Sequence, residues 1–160
     1  VLFPTHLVAA GLLGRVTRLS ALWLVVGAAV PDIVDKPLGM LGVTALFHSV
    51  GHSALLAIVM VPLALSGRAG VAVTTGWLSH LVLDALHVVV NGRPADVLFL
   101  FWPVVTPPEP LAIPPGSFFW YYIGSLAFFL ELVIWGVLGV VLVRFAVQGR
   151  QTGENEQHSR

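Results

Sequence analysis

Cysteine is absent from the 160 residues, and charge is scarce. Without cysteine there is no disulfide, no thiolate metal site and no thiol nucleophile. Lysine and arginine together number 8, as do aspartate and glutamate, giving zero formal net charge. That balance leaves no basic field for nucleic acid, which is not an expected partner. Charged residues make up only 10% of the chain against 57% hydrophobic, and mean hydropathy is +0.91. A soluble domain of this size needs a charged shell that this composition cannot supply. The expected fold is therefore all-α, an integral membrane helical bundle in the cell (inner or plasma) membrane, with residues 1–147 as one transmembrane domain.

What is abundant is apolar sequence in runs. Leu19 to Val30, Ala54 to Leu65, Val71 to Val90 and Phe118 to Phe145 predict about four transmembrane helices. Pro4 to Gly14 predicts a short N-terminal helix, too short to cross alone. The apolar stretch Leu7 to Leu13 precedes Arg15 and Arg18, the reverse of a cleaved signal peptide. Placing Arg15, Arg18, Arg68, Arg144 and Arg150 in the cytoplasm gives a consistent multi-pass threading, with Lys36 and Arg93 outside. Asn91 to Ser117 holds seven of the eleven prolines and reads as an extended, lid-like loop. Gln148 to Arg160 is polar and predicts a disordered tail, so His158 is set aside.

Against this background the polar residues inside or beside apolar runs stand out: His6, Asp32, Asp35, His48, His52, His80, Asp84, His87 and Glu131. Such groups are costly in hydrocarbon and usually face a bundle interior, paired. His48 and His52 are spaced i, i+4, as are His80 and Asp84, so each pair shares one helix face, and His87 extends the second. Asp32 and Asp35, in PDIVD, are i, i+3 at a proline-marked helix boundary. On the threading above, all but Glu131 fall near one membrane depth. Imidazole and carboxylate suit zinc, manganese or iron, and a two-metal cluster uses this many donors better than one tetrahedral ion. Each pair alone also fits a bland reading, as a packing histidine, a satisfied His–Asp pair or, for Asp35, a helix cap. Glu131, mid-span in FFLELVIW, reads as an interhelical hydrogen-bonding residue. FFWYY at 118–122 reads as an interface belt.

With these residues in hand, the chain resembles the YdjM-like (LexA-regulated) family of membrane-bound predicted metal-dependent hydrolases over roughly its first 105 residues. The resemblance rests on PTH at Pro4 to His6, VPDIVDKP at Val30 to Pro37, FHSVGHS at Phe47 to Ser53, SHLVLD at Ser79 to Asp84 and FWP at Phe101 to Pro103. That family is distantly similar to the zinc-dependent phospholipase C and P1 nuclease group. The resemblance implies a metal site of His6, Asp32, His48, His52, His80 and Asp84 and hydrolysis of phosphate esters.

The leading expectation is thus a metal-dependent hydrolase at the extracytoplasmic face, with one or two divalent ions, zinc first. Asp32 and Asp84 would bridge or orient, and His87 would shuttle a proton. The substrate would be a phosphate ester or lipid-like molecule among the membrane lipids. The alternatives are a metal-binding or metal-transporting membrane protein and a b-type haem protein with histidines as axial ligands, in which Asp32 and Asp84 have no role.

Overall fold

The computed structural model describes residues 2–108 and 113–158, and it is helical, with no strand among the described residues. Six α-helices follow in order: α1 (Phe3–Thr17), α2 (Ala21–Met40), α3 (Ala57–Leu65), α4 (Arg68–Val90), α5 (Pro115–Tyr122) and α6 (Leu126–His158). Short 3-10 segments at Ala54–Leu56 and Pro94–Phe101 lead into α3 and follow α4. Pro4 sits in the first turn of α1, where a missing N–H costs nothing.

The centre of the molecule is the crossing of α2 and α4. It is close because glycines face backbone. A Cβ on Gly76 would lie 2.0 Å from the Leu24 carbonyl oxygen, and one on Gly27 would lie 1.9 Å from that of Val73. Around this crossing, Ala10, Leu24, Ala28 and Ala72 form a fully buried core, with Leu7, Leu13, Leu19 and Val25 packed against it. Met60, Trp77 and Leu81 form a second core beneath α3.

Three expectations are corrected here. First, PDIVD is not a helix boundary: α2 runs through both Pro31 and Pro37 to Met40. Proline removes one helical hydrogen bond, and packing against α4 and the following loop holds the helix together. Second, His48 and His52 share no helix face, because residues 47–53 form a loop. Among the described residues two helices are long and apolar enough to cross a membrane, Arg68–Val90 and Leu126–Arg144. The Leu19 run continues into the polar PDIVDK, and Ala54–Leu65 is a shorter apolar helix than the roughly 20 residues a span requires. Third, the proline-rich stretch is not wholly extended. Pro94 opens a 3-10 segment and Pro115 opens α5, because proline at a helix start sacrifices no bond. Residues 109–112 lie outside the described residues.

α6 is less embedded than α4: 11% of its apolar stretch is buried, against 33% for α4. Its backbone is helical to His158.

Candidate metal centre

The fold gathers the polar blocks at one end. α1 contributes His6 from its start; α2 contributes Asp32, Asp35 and Lys36 from its last turns. The loop after α2 contributes His48 and His52, and the later half of α4 contributes His80, Asp84 and His87. The opposite end carries Arg18 and Arg68, whose guanidinium donates to the Arg18 carbonyl at 3.1 Å.

Asp84 is the hub. One carboxylate oxygen lies 3.1 Å from His6 Nε2. The other lies 3.2 Å from His80 Nε2, 3.3 Å from His52 Nε2 and 3.6 Å from His48 Nε2. Asp32 approaches from across the crossing, 3.6 Å from His52 Nε2 and 3.1 Å from Lys36 Nζ. His6 stacks on His80 with ring centroids 3.6 Å apart. Three overlapping triads could hold a metal ion: His6, His80 and Asp84; Asp32, His52 and His80; His48, His52 and Asp84. Within each, the ligand atoms lie within 4.8 Å of one another.

Hydrogen bonding on the far side of the rings fixes which nitrogen faces inward. His80 Nδ1 is 2.7 Å from the Ala28 carbonyl oxygen, which can only accept, so the proton is on Nδ1. His52 Nδ1 donates to Asp35 at 2.7 Å, and the same carboxylate accepts the backbone N–H groups of Ser49, Gly51 and His52. In their neutral forms both rings therefore aim an Nε2 lone pair at the same point, 3.1 Å apart and flanked by Asp84. Lone pairs and carboxylates converging in this way require a proton or a metal cation between them. An edge of about 3.3 Å is what a tetrahedron with Zn–N bonds of about 2.0–2.1 Å has. The Nδ1 of His6, on the ring edge away from its Asp84 contact, is buried without a hydrogen-bond partner among the described residues.

The loop histidines are tuned in opposite directions. Burial opposes charge on His52, but hydrogen bonds to Asp35 and Asp84 outweigh it and raise its pKa. His48 keeps 36% of its side chain exposed. Desolvation of its ring and the Lys36 ammonium lower its pKa, which leaves a neutral ring with a lone pair to give.

A cavity of about 300 Å³ opens onto this cluster. Asp32, His48 and Asp84 line its floor, with Lys36, Arg93 and Asp96 beside them, and the remaining wall is mostly apolar. His87 lines it as well, with its ring 5.1 Å from that of Tyr122.

All six residues expected as ligands, His6, Asp32, His48, His52, His80 and Asp84, thus meet in one cluster. His87, expected as a proton shuttle, stands one turn beyond it in the cavity wall. Asp35 was favoured as a cap; it is instead the buried acceptor that orients His52 and pins the loop. Gly51 permits close approach of the loop to α2: a Cβ there would lie 2.8 Å from Pro31. Glu131 is an interhelical acceptor, bonded by Thr5 and Tyr122 and by the Leu2 backbone N–H at 3.1 Å. Trp135 Nε1 completes the link to α1 by donating to Thr5 at 3.0 Å. The aromatic run divides: Phe118 and Phe119 line the cavity, whereas Trp120 is 76% exposed. The haem reading conflicts with the geometry, since axial ligands stand on opposite faces of a macrocycle and these Nε2 atoms converge at 3.1 Å with Asp84 between them. Compared with known proteins, the chain matches no family model, no curated protein and no solved structure.

Proposed function

We propose that the protein is a membrane-bound metal-dependent hydrolase acting on a phosphate ester or lipid-like substrate at the extracytoplasmic face of the cell membrane. The observation that carries this reading is the convergence of the His52 and His80 Nε2 lone pairs on Asp84, with both Nδ1 protons committed elsewhere. A divalent ion held by His6, Asp32, His48, His52, His80 and Asp84, zinc first and manganese or iron as alternatives, would supply a Lewis acid and bring the pKa of bound water toward 7. Six donors exceed what one tetrahedral ion takes, so the set would accommodate two ions, with Asp84 a donor common to two of the triads. In this reading Asp35 holds the His52 tautomer, Asp32 and Asp84 set the charge of the site, and His87 passes a proton between the cavity and solvent. The resemblance of PTH, VPDIVDKP, FHSVGHS and SHLVLD to the YdjM-like hydrolases supports the same assignment.

A multi-pass arrangement is part of the proposal. Arg15, Arg18 and Arg68 at the end away from the site favour that end as cytoplasmic. Transport is the weaker reading, because the Ala10, Leu24, Ala28 and Ala72 core closes the bundle beneath the cluster, and a conduction path needs polar groups on both sides.

The test is metal analysis of detergent-purified wild type, Asp84→Ala and His52→Ala. Wild type is expected to hold one or two equivalents, and both variants to lose most of it; unchanged metal in both variants removes the site. Hydrolysis of phosphoester and ester substrates with and without chelator then separates a hydrolase from a metal binder.

A further inference from the structure

The cavity joins three kinds of surface that one ligand chemistry would satisfy together. Its floor is the His/Asp cluster, its side bears Lys36 and Arg93, and its outer wall is aromatic and aliphatic. Lys36 Nζ sits 3.1 Å from Asp32 and 3.4 Å from the Phe47 carbonyl oxygen, tethered at the edge of the cluster. Arg93 is held by an ion pair with Asp96, three residues on in the 3-10 segment after α4, and both line the cavity. A guanidinium carries five N–H donors in a planar fork suited to phosphate, so one carboxylate partner orients it without exhausting it. Phe3 and Phe119 line the cavity and are 39% and 42% exposed.

Charge decides when an anion can enter. Asp32, Asp84 and Asp96 outnumber Lys36 and Arg93 along the lining, so the metal-free cavity carries excess negative charge. A single divalent ion reverses that sign, and the two fixed cations then complete an anion site.

Resting on the hydrolase reading above, we infer that Lys36 and Arg93 form the clamp for the phosphate of an anionic amphiphile whose hydrocarbon chain lies along Phe3, Phe118 and Phe119. The substrate class is then a phosphoester bearing an apolar chain, delivered from the lipid side, and not a small water-soluble phosphate. Lys36 and Arg93 bind the phosphate oxygens and position the ester over Asp84. The aromatic wall supplies affinity that grows with chain length, about fourfold per buried methylene.

The experiment uses the full chain in phosphatidylcholine nanodiscs, with and without added zinc, titrated calorimetrically with octyl phosphate, inorganic phosphate and octyltrimethylammonium against empty discs. Zinc content is measured on the same samples. Zinc-loaded wild type is expected to bind octyl phosphate at least tenfold tighter than inorganic phosphate, to bind both anions far more weakly without zinc, and to ignore the cationic amphiphile. A charge-assisted contact of about 1.5–3 kcal/mol predicts that Arg93→Gln and Lys36→Met each weaken both anions roughly ten- to a hundredfold at wild-type zinc content. Phe119→Ser is expected to narrow the preference for octyl phosphate while leaving inorganic phosphate unchanged. Equal affinity for the two anions in wild type overturns the amphiphile, and full anion affinity in zinc-loaded Arg93→Gln overturns the clamp. Should Lys36→Met shed zinc through its contact with Asp32, Arg93→Gln decides alone. A wild type that takes up no zinc overturns the hydrolase reading itself, and this inference with it.

Discussion

At the residue scale, the group that most repays attention is Asp35, which lines no part of the cavity and touches the cluster only through His52. It is fully buried and accepts from three backbone N–H groups and one imidazole. A carboxylate can do this because both of its oxygens are acceptors, whereas an amide would turn an NH₂ toward at least one donor. Asp35→Asn should therefore free the His52 tautomer and lower zinc affinity by about 10–100-fold, the range found when a ligand's outer partner is removed. Competition with a chromophoric chelator measures it; wild-type affinity would mean that packing alone aims His52. The sequence did reveal the pair His80/Asp84, because i, i+4 spacing is a local property of one helix; His48 and His52 share no helix face, and the loop after α2 brings their rings together instead. It did not reveal Asp35, whose partners lie 14 to 17 residues further on, across a loop whose path no spacing rule describes.

At the scale of elements, the site depends on how closely α2 and α4 cross, since Asp32 rides on one and His80 and Asp84 on the other. Alanine is intrinsically the better helix former by about 1 kcal/mol, so a glycine that tolerates it should be stabilised by the exchange. Nothing lies within 4 Å of a Cβ at Gly139, and Gly139→Ala is expected to leave stability and zinc content unchanged or slightly improved. Gly76→Ala instead drives a methyl into the Leu24 carbonyl and should destabilise by about 1–3 kcal/mol or more, and on the proposed function should lower metal content as the helices separate. Thermal melts in detergent with parallel metal analysis check both. The prolines of α2 teach the same lesson from the other side. Local rules place a helix end at Pro31, yet burial of Gly27, Ala28 and Pro31 against their neighbours outweighs one missing hydrogen bond, and the helix continues to carry Asp32 and Asp35 into the cluster.

At the scale of the whole molecule, the proposed orientation rests on the distribution of charge and apolar surface. The twenty residues of α2 span about 30 Å, comparable to a hydrocarbon core, and separate the site from the Arg15, Arg18 and Arg68 end. Val16 at the basic end is 81% exposed and Met40 at the site end is 70% exposed. With no cysteine in the background, Met40→Cys should react with a membrane-impermeant maleimide on intact cells, and Val16→Cys only after permeabilisation. The reverse pattern would place the site in the cytoplasm and redirect the search for a substrate. Glu131 belongs to this scale too, since it ties the sparsely packed α6 to α1 beside His6, and its loss would loosen the last helix first.

Composition and periodicity alone determined that the chain is helical, strongly apolar and equipped with His/Asp pairs suited to a metal. Those properties are sums over residues or repeats within one segment, and they do not depend on how segments meet. The tertiary structure alone decided that PDIVD lies inside a helix, that His48 and His52 sit in a loop, that Asp35 orients rather than caps, and that Phe118 and Phe119 join Lys36 and Arg93 around one cavity. Each of these depends on contacts between residues far apart in the chain. Such contacts are chosen by packing and hydrogen-bond satisfaction across helices, where a glycine's missing side chain or one buried carboxylate outweighs the preference of any local stretch.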